Sequence, residues 1–138
     1  MKLFGMLTFS TICLVGVLLG ADAGADAHIA LISAHLNGKT PAGHGLKKLG
    51  DHLRAKKFQV EIRAEPAAEV SDFYILAGLS TEASLVSAQL RELKLSLPEG
   101  KEALRIAKTS FRGKPAVLLC GSDEVGMMYA ALGVAQRI

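Results

Sequence analysis

Residues 104–130 read LRIAKTSFRGKPAVLLCGSDEVGMMYA, and this stretch decides the predicted fold. An alternating run at 104–108 and an apolar run at 116–120 flank an Arg-Gly-Lys-Pro turn, a pattern typical of an antiparallel hairpin. Asp123 follows the second run, and a carboxylate there caps the N-terminus of a helix. The stretch therefore predicts a strand, a turn, a second strand and a closing helix. The apolar positions expected along the packed side of that helix are Val125, Met128, Leu132 and Ala135.

Toward the N-terminus, strands and helices alternate. Apolar or alternating runs at 28–33, 58–62 and 73–78 predict three further strands. Apolar residues recur every three or four positions within 46–53 and 83–97, which predicts two helices. The order is strand, helix, strand, strand, helix, strand, strand, helix. Such alternation predicts one α/β domain with a mixed five-stranded sheet and three helices, in which the apolar strand 73–78 is central.

Turn and capping residues set the expected helix boundaries. The turn-rich segment 37–43 predicts a loop before the first helix. Ser80 or Thr81 is the expected N-cap of the second helix, because a hydroxyl there accepts a hydrogen bond from the first turn. Pro98 is expected to close that helix.

The N-terminal segment has the three-part pattern of a secretory signal peptide. Lys2 is followed by a nearly continuous apolar run at 3–19 and then by two Ala-Asp-Ala triplets, at 21–23 and 25–27. Each triplet meets the small-residue rule for signal peptidase. An uncleaved anchor is the alternative, because the apolar run is near the lower length limit for spanning a bilayer.

Cleavage after Ala23 or Ala27 is expected. We therefore assign 1–27 to the signal peptide and 28–138 to one exported domain, secreted or periplasmic, with membrane attachment only if the leader is retained. Cleavage after Ala27 would also make His28 the N-terminal residue, and an N-terminal histidine chelates copper in certain polysaccharide oxygenases. Those enzymes are all-β proteins, so the α/β pattern argues against such a site here.

Composition excludes several classes of partner. The chain carries 16 basic and 13 acidic residues, and its bases are spread along the sequence. Aromatic residues make up 5% of the chain, too few for base stacking, so nucleic-acid binding is not expected. Cys120 is the one cysteine outside the leader, which predicts a buried, inert thiol without a disulfide partner. The nearest approach to a basic patch is the solvated face of the first helix: Lys47, Lys48, Arg54, Lys56 and Lys57.

No catalytic, cofactor-binding or metal-binding residue is predicted. The loop 121–126 has glycines like a phosphate-binding loop, but it lacks the Lys-Ser/Thr pair that reaches phosphate and metal. Asp123 and Glu124 would also repel a phosphate at that helix start. The histidines lack the spacing of a metal site, and no two carboxylates are paired as glycoside hydrolysis requires. The four histidines are His28, His35, His44 and His52.

The closing helix carries small residues along one stripe. Gly126, Ala130 and Gly133 recur at helical spacing, and each glycine lowers helix stability by about 1 kcal/mol relative to alanine. Close approach of another backbone is the usual compensation for that loss. Either the stripe packs on the domain's own sheet, or one face of the helix meets the sheet and the other meets a neighbouring domain or partner.

Four motifs near the C-terminus carry a family resemblance. They are LPEG at 97–100, ALRI at 103–106, GKPAVLL at 113–119 and Gly-x-Asp-x-x-Gly-x-x-Tyr-Ala at 121–130. Together they resemble the N-terminal accessory domain of bacterial β-N-acetylhexosaminidases and α-glucuronidases, over the C-terminal third of the chain. The sequence departs from that family's pattern at three positions, where Val125 replaces a common Arg, Ala130 a common Gly and Leu104 a frequent aromatic residue.

The resemblance implies a zincin-like α/β sandwich without a metal site, whose last helix abuts a catalytic barrel. In that family the catalytic acids lie in the barrel, so the resemblance implies an accessory domain without activity of its own. The expected partner is a catalytic barrel domain or a neighbouring glycoside hydrolase chain. A small exported carbohydrate-binding module is the alternative function. The residues expected on the docking face are Gly126, Tyr129, Ala130 and Gly133.

Overall fold

A mixed β-sheet with helices on both faces forms the protein. The computed structural model describes residues 27–137, so the predicted leader lies outside the described residues except for Ala27. In chain order the elements are β1 (His28–Ile32), α1 (Pro41–Ala55), β2 (Gln59–Arg63), β3 (Phe73–Leu79), α2 (Leu85–Glu92), β4 (Leu104–Phe111), β5 (Lys114–Gly121) and α3 (Glu124–Ala135). This order confirms the predicted succession of five strands and three helices.

The sheet has the strand order β2-β1-β3-β5-β4. The first four strands in that order are parallel, whereas β4 pairs antiparallel with β5 and forms one edge. The predicted central strand is confirmed as β3, whose residues 73–78 are all buried. A strand in the middle of a parallel sheet is covered on both faces, and this explains its continuous apolar sequence.

The two faces of the sheet bury separate apolar clusters. Alternate residues of β3 divide between them, because successive side chains of a strand point to opposite faces. Phe73 and Ile75 belong to the cluster under α1 and α3, whereas Tyr74 and Leu76 belong to the cluster under α2. The helices α1 and α3 also pack against each other, and Gly45 of α1 lies against the backbone of Met128.

Helix α1 begins one turn earlier than the turn-rich segment 37–43 predicts. It starts at Pro41, and the Thr40 hydroxyl accepts a hydrogen bond from the Gly43 amide at 3.2 Å. Proline at the first helical position has a backbone angle suited to the helix and no amide hydrogen to satisfy. The loop prediction was wrong for residues 41–43, because proline and glycine signal turns and helix starts alike.

Helix α2 is shorter than predicted, and the predicted caps were wrong. It spans Leu85–Glu92, and Ser84 and Ser87 form a reciprocal capping box at its N-terminus. Ser80 instead donates a hydrogen bond to the carbonyl of Pro98 at 3.0 Å. The apolar repeat in the sequence continues to Leu97, but the chain after Glu92 is irregular. Leu95 and Leu97 in this irregular segment still pack on the α2 side of the sheet.

The predicted hairpin is confirmed between β4 and β5. Leu104 pairs with Gly121 at one end and Phe111 with Lys114 at the other. The two turn residues between the strands, Arg112 and Gly113, both have positive φ, at 54° and 77°. Positive φ at both central positions matches the right-handed twist of a two-residue hairpin.

The packed side of α3 differs from the prediction, although its N-cap, Asp123, is confirmed. Val125, Met128 and Leu132 are half-buried rather than fully packed, and of the predicted positions only Ala135 is buried. The helix carries no charged residue after Glu124, so apolar periodicity could not show which side faces the sheet. The residues that are buried are Gly126, Met127, Ala130, Ala131, Val134 and Ala135.

Candidate functional site

The outer face of α3 is apolar and is only partly covered within residues 27–137. Its members are Val125, Tyr129, Leu132 and Gly133, which share one side of the helix at 100° per residue. Tyr129 is 47% exposed, and the other three residues are half-buried. A surface helix normally presents charged and polar residues to solvent, whereas this outer face presents apolar ones.

The four residues expected on the docking face divide between the two sides of α3. Tyr129 and Gly133 lie on the outer face, and a methyl group added at Gly133 would have no atom within 4 Å. Gly126 and Ala130 are buried within this chain. A methyl group at Gly126 would lie 2.3 Å from the Ala103 carbonyl oxygen, so this glycine permits close contact with the loop before β4.

Leu104 adds an exposed apolar side chain near this helix. It is 40% exposed at the first position of β4, directly after Ala103, whose carbonyl lies under Gly126. Because side chains alternate along a strand, Leu104 shares a sheet face with Ile106, which packs in the cluster beneath α1 and α3. The outer face of α3 and the start of β4 therefore present apolar side chains on the same side of the sheet.

The start of α3 is closed by its own residues. Asp123 accepts hydrogen bonds from the backbone amides of Glu102 at 3.0 Å and Gly126 at 2.8 Å. These two bonds hold the pKa of the Asp123 carboxyl below its usual value, because they favour the charged form. The Ser122 hydroxyl accepts a hydrogen bond from the Ala103 amide at 2.9 Å and donates one to the Gly100 carbonyl. The amide that a bound phosphate would use is thus already occupied by a carboxylate.

A polar cluster, defined by His35, Glu82 and Glu124, lies at the carboxyl ends of the parallel strands. His35 Nε2 lies 2.6 Å from Glu82 Oε1, and His35 Nδ1 lies 4.0 Å from Glu124 Oε2. His35 follows β1 and Glu82 follows β3, so the cluster lies where the chain connections diverge on the sheet. This position is where open α/β sheets bind ligands.

Sequence reasoning did not single out the polar cluster. Its members are 42 or more residues apart in sequence, and no motif joins them. The available signal was positional: each residue follows, within three residues, the end of a strand that proves to be β1, β3 or β5. Only the strand order places those three ends side by side.

Within the described residues, the polar cluster links the loop after β1 to the loop after β3 and to the first residue of α3. Glu82 Oε1 also accepts from the Leu79 amide at 3.3 Å, and Glu124 Oε1 accepts from the Ala42 amide at 3.4 Å. Within residues 27–137, no three side chains of His, Cys, Asp or Glu are arranged so that they could hold a metal ion together. A cavity of about 160 Å³ adjoins Glu82, which is smaller than the roughly 300–1,000 Å³ of typical ligand pockets.

A larger cavity, of about 410 Å³, opens at the other end of the sheet beside His28. Its lining includes Gln59, Glu61 and Glu69, and no Phe, Tyr or Trp side chain. Sugar-binding sites commonly place an aromatic ring against the apolar face of the sugar. This cavity therefore lacks the group that would identify a sugar site.

Aromatic and thiol side chains lie mostly in the interior. Tyr74, Phe73 and Phe58 are at most 8% exposed and Phe111 is half-buried, which leaves Tyr129 as the most exposed Phe or Tyr side chain in the described part of the chain. Cys120 is fully buried, as predicted, and burial raises the pKa of its thiol to about 11. A protonated, enclosed thiol is a poor nucleophile.

A scan against protein-family models and a search of curated proteins found no match to this chain. None of the helices in residues 27–137 is both long and apolar enough to cross a membrane.

Proposed function

We propose that this chain is an exported, non-catalytic accessory domain of glycoside-hydrolase type, whose α3 packs against a catalytic barrel in a neighbouring hydrolase chain. One observation carries the proposal: α3 is apolar on its outer face as well as on its buried face. A helix that is hydrophobic on all sides is normally buried on all sides. A catalytic barrel placed against Val125, Tyr129 and Leu132 would complete that burial.

The hairpin and the start of α3 support this proposal. The motif residues have structural roles that fix the position of the helix: Asp123 caps it, and Gly126 allows it to touch the loop at 102–103. The same loop accepts and donates hydrogen bonds with Ser122. These contacts fix the start of α3 against the loop before β4. The zincin-like character of the fold is part of the proposal.

The polar side chains of the described region support a role without catalysis. The carboxylates of Glu82, Asp123 and Glu124 all accept hydrogen bonds from backbone amides. The donors are the last residue of β3 for Glu82, the loop before β4 for Asp123, and the first turn of α1 for Glu124. A general acid or nucleophile needs a carboxyl group directed at a substrate-sized cleft. These three carboxylates instead stabilise the loops at the carboxyl edge of the sheet.

The alternative, a carbohydrate-binding module, has less support. Such modules use exposed aromatic rings as platforms for sugars, and Tyr129 is 47% exposed while Phe58, Phe73 and Tyr74 are buried. Tyr129 also lies among aliphatic neighbours on the outer face of α3, where few polar groups are available for sugar hydroxyls. The outer face of α3 therefore suits a protein surface better than a glycan.

The test is co-purification with a barrel-containing glycoside hydrolase encoded beside this chain. The full chain is expected to co-elute with that hydrolase in size-exclusion chromatography. Tyr129→Arg should weaken the complex by at least about tenfold, because it places a charge in the centre of the apolar contact. Val70→Arg is the matched control, because Val70 is 55% exposed on the loop between β2 and β3 and should leave binding unchanged.

Three outcomes would count against the proposal. The first is a monomer that ignores every barrel-containing neighbour. The second is specific binding in a glycan array, which would favour the carbohydrate-binding alternative. The third is turnover of a chromogenic glycoside by this chain alone, abolished by one substitution within residues 27–137.

A further inference from the structure

Ala27 belongs to the folded domain. It is 1% exposed and lies in the apolar cluster beneath α1 and α3. Its carbonyl oxygen accepts a hydrogen bond from the Gln59 amide at 3.0 Å, where Gln59 is the first residue of β2. In a parallel pair of strands an amide bonds the carbonyl of the residue before its partner, so this bond pairs His28 with Gln59. Ala27 is therefore a core residue whose carbonyl takes part in the hydrogen bonding of the sheet.

The two possible processing sites have different consequences for the domain. Cleavage after Ala23 leaves Ala27 in place with its carbonyl in the sheet. Cleavage after Ala27 removes a buried methyl group and leaves the Gln59 amide without its partner. The first product keeps every contact of the described domain, and the second loses the residue that anchors the start of its first strand to β2.

Cleavage after Ala27 would bring one compensation. The new ammonium group of His28 would lie beside Asp72, whose carboxylate already accepts a hydrogen bond from the His28 amide at 2.9 Å. Both residues are exposed, so solvent would screen the new ion pair. The pair would also replace a hydrogen bond that exists in the longer chain. The contacts of Ala27 are buried and are lost without a substitute.

We propose that the leader is removed after Ala23, so that the mature chain begins at Gly24 and keeps Ala27 in the sheet. Signal peptidase selects small residues at the first and third positions before the cut. Ala21 and Ala23 supply them for this site, whereas Ala25 and Ala27 supply them for the other. Processing after Ala23 leaves His28 inside the chain, where its amide nitrogen cannot act as an amine ligand for copper.

The test is expression of the full chain in a bacterial host that secretes proteins, followed by intact-mass measurement of the exported product. Ala21→Leu and Ala25→Leu form a matched pair, because each blocks the third position before one of the two cuts. Both positions precede residues 27–137, so neither substitution changes a residue of the described fold. The expected wild-type mass is that of a chain beginning at Gly24.

The two variants should differ sharply. Ala21→Leu should abolish the wild-type product, whether the precursor stays uncut or is cut after Ala27. Ala25→Leu should be processed at the wild-type position. A wild-type product that begins at His28, or a wild-type chain that stays unprocessed, would overturn the inference. Loss of processing in Ala25→Leu alone would overturn it as well. Binding to a hydrolase chain is a separate measurement, so either proposal can fail without the other.

Discussion

Two glycines in α3 should respond in opposite ways to the same substitution. Gly126 faces the loop before β4, and an added methyl group would lie 2.3 Å from the carbonyl oxygen of Ala103. Gly133 is on the outer face, and a methyl group there meets nothing within 4 Å. Gly126→Ala and Gly133→Ala therefore separate the effect of a close contact from the effect of helix propensity.

The expected magnitudes follow from competing terms. Either substitution gains up to about 1 kcal/mol of helix propensity. For Gly126→Ala the methyl group must move the backbone at Ala103 by about 1 Å, and overpacking of this kind costs about 1–3 kcal/mol. The same movement strains the hydrogen bonds of Ser122 with Ala103 and of Glu102 with Asp123, each worth about 0.5–1.5 kcal/mol. We expect Gly126→Ala to destabilise the domain by about 2 kcal/mol in total.

Thermal unfolding followed by circular dichroism measures both effects. At about 4 °C per kcal/mol for a domain of this size, Gly126→Ala should lower Tm by about 8 °C. Gly133→Ala lies near the end of the helix, so it should raise Tm by about 2 °C at most. A Gly126→Ala protein that melts at or above the wild-type temperature would refute the close contact. A similar loss for Gly133→Ala would show that the contact with Ala103 is not the cause.

Three further predictions concern protonation and the domain boundary. The pKa of Asp123 is lowered in the folded state, so its charge stabilises the fold above its ordinary pKa, near 4, and that stabilisation is lost as pH falls through the lowered value. Wild type should therefore melt above Asp123→Asn at pH 7, and the gap should close on acidification below about pH 4, as Tm measured against pH will show. Cys120 should react with a thiol reagent only on unfolding, because it is buried and burial raises the pKa of its thiol to about 11, which leaves little thiolate at pH 8. Rapid labelling of the native protein would contradict its burial. A chain beginning at His28 should melt about 4 °C below one beginning at Gly24. It lacks the buried methyl group of Ala27 and one backbone hydrogen bond, which together contribute about 1 kcal/mol net. Equal melting temperatures would show that Ala27 adds nothing to stability.

Local patterns were enough to predict the order of the elements. The β4–β5 hairpin follows from two runs around a tight turn, and the central place of β3 follows from its continuous apolar sequence. The Asp123 cap was also predictable, because the carboxylate acts on amides within its own helix turn. Each of these features depends on residues close together in the chain.

The remaining features required the tertiary structure. The packed side of α3 was mispredicted, because a helix apolar on all sides gives periodicity no contrast. The small-residue stripe could not show that Gly126 touches Ala103 while Gly133 faces solvent, since that depends on which strand lies beside the helix. The polar cluster likewise appears only when the sheet order brings three distant strand ends together.

The same division applies to function. The sequence by itself determined the α/β class of the domain and predicted a leader with two possible cuts, because composition and short spacings carry that information. The tertiary structure alone decided which side of α3 stays partly exposed and that Ala27 is buried with its carbonyl bonded to β2. Burial and hydrogen bonding are properties of contacts between distant segments, and no local pattern encodes which segments meet.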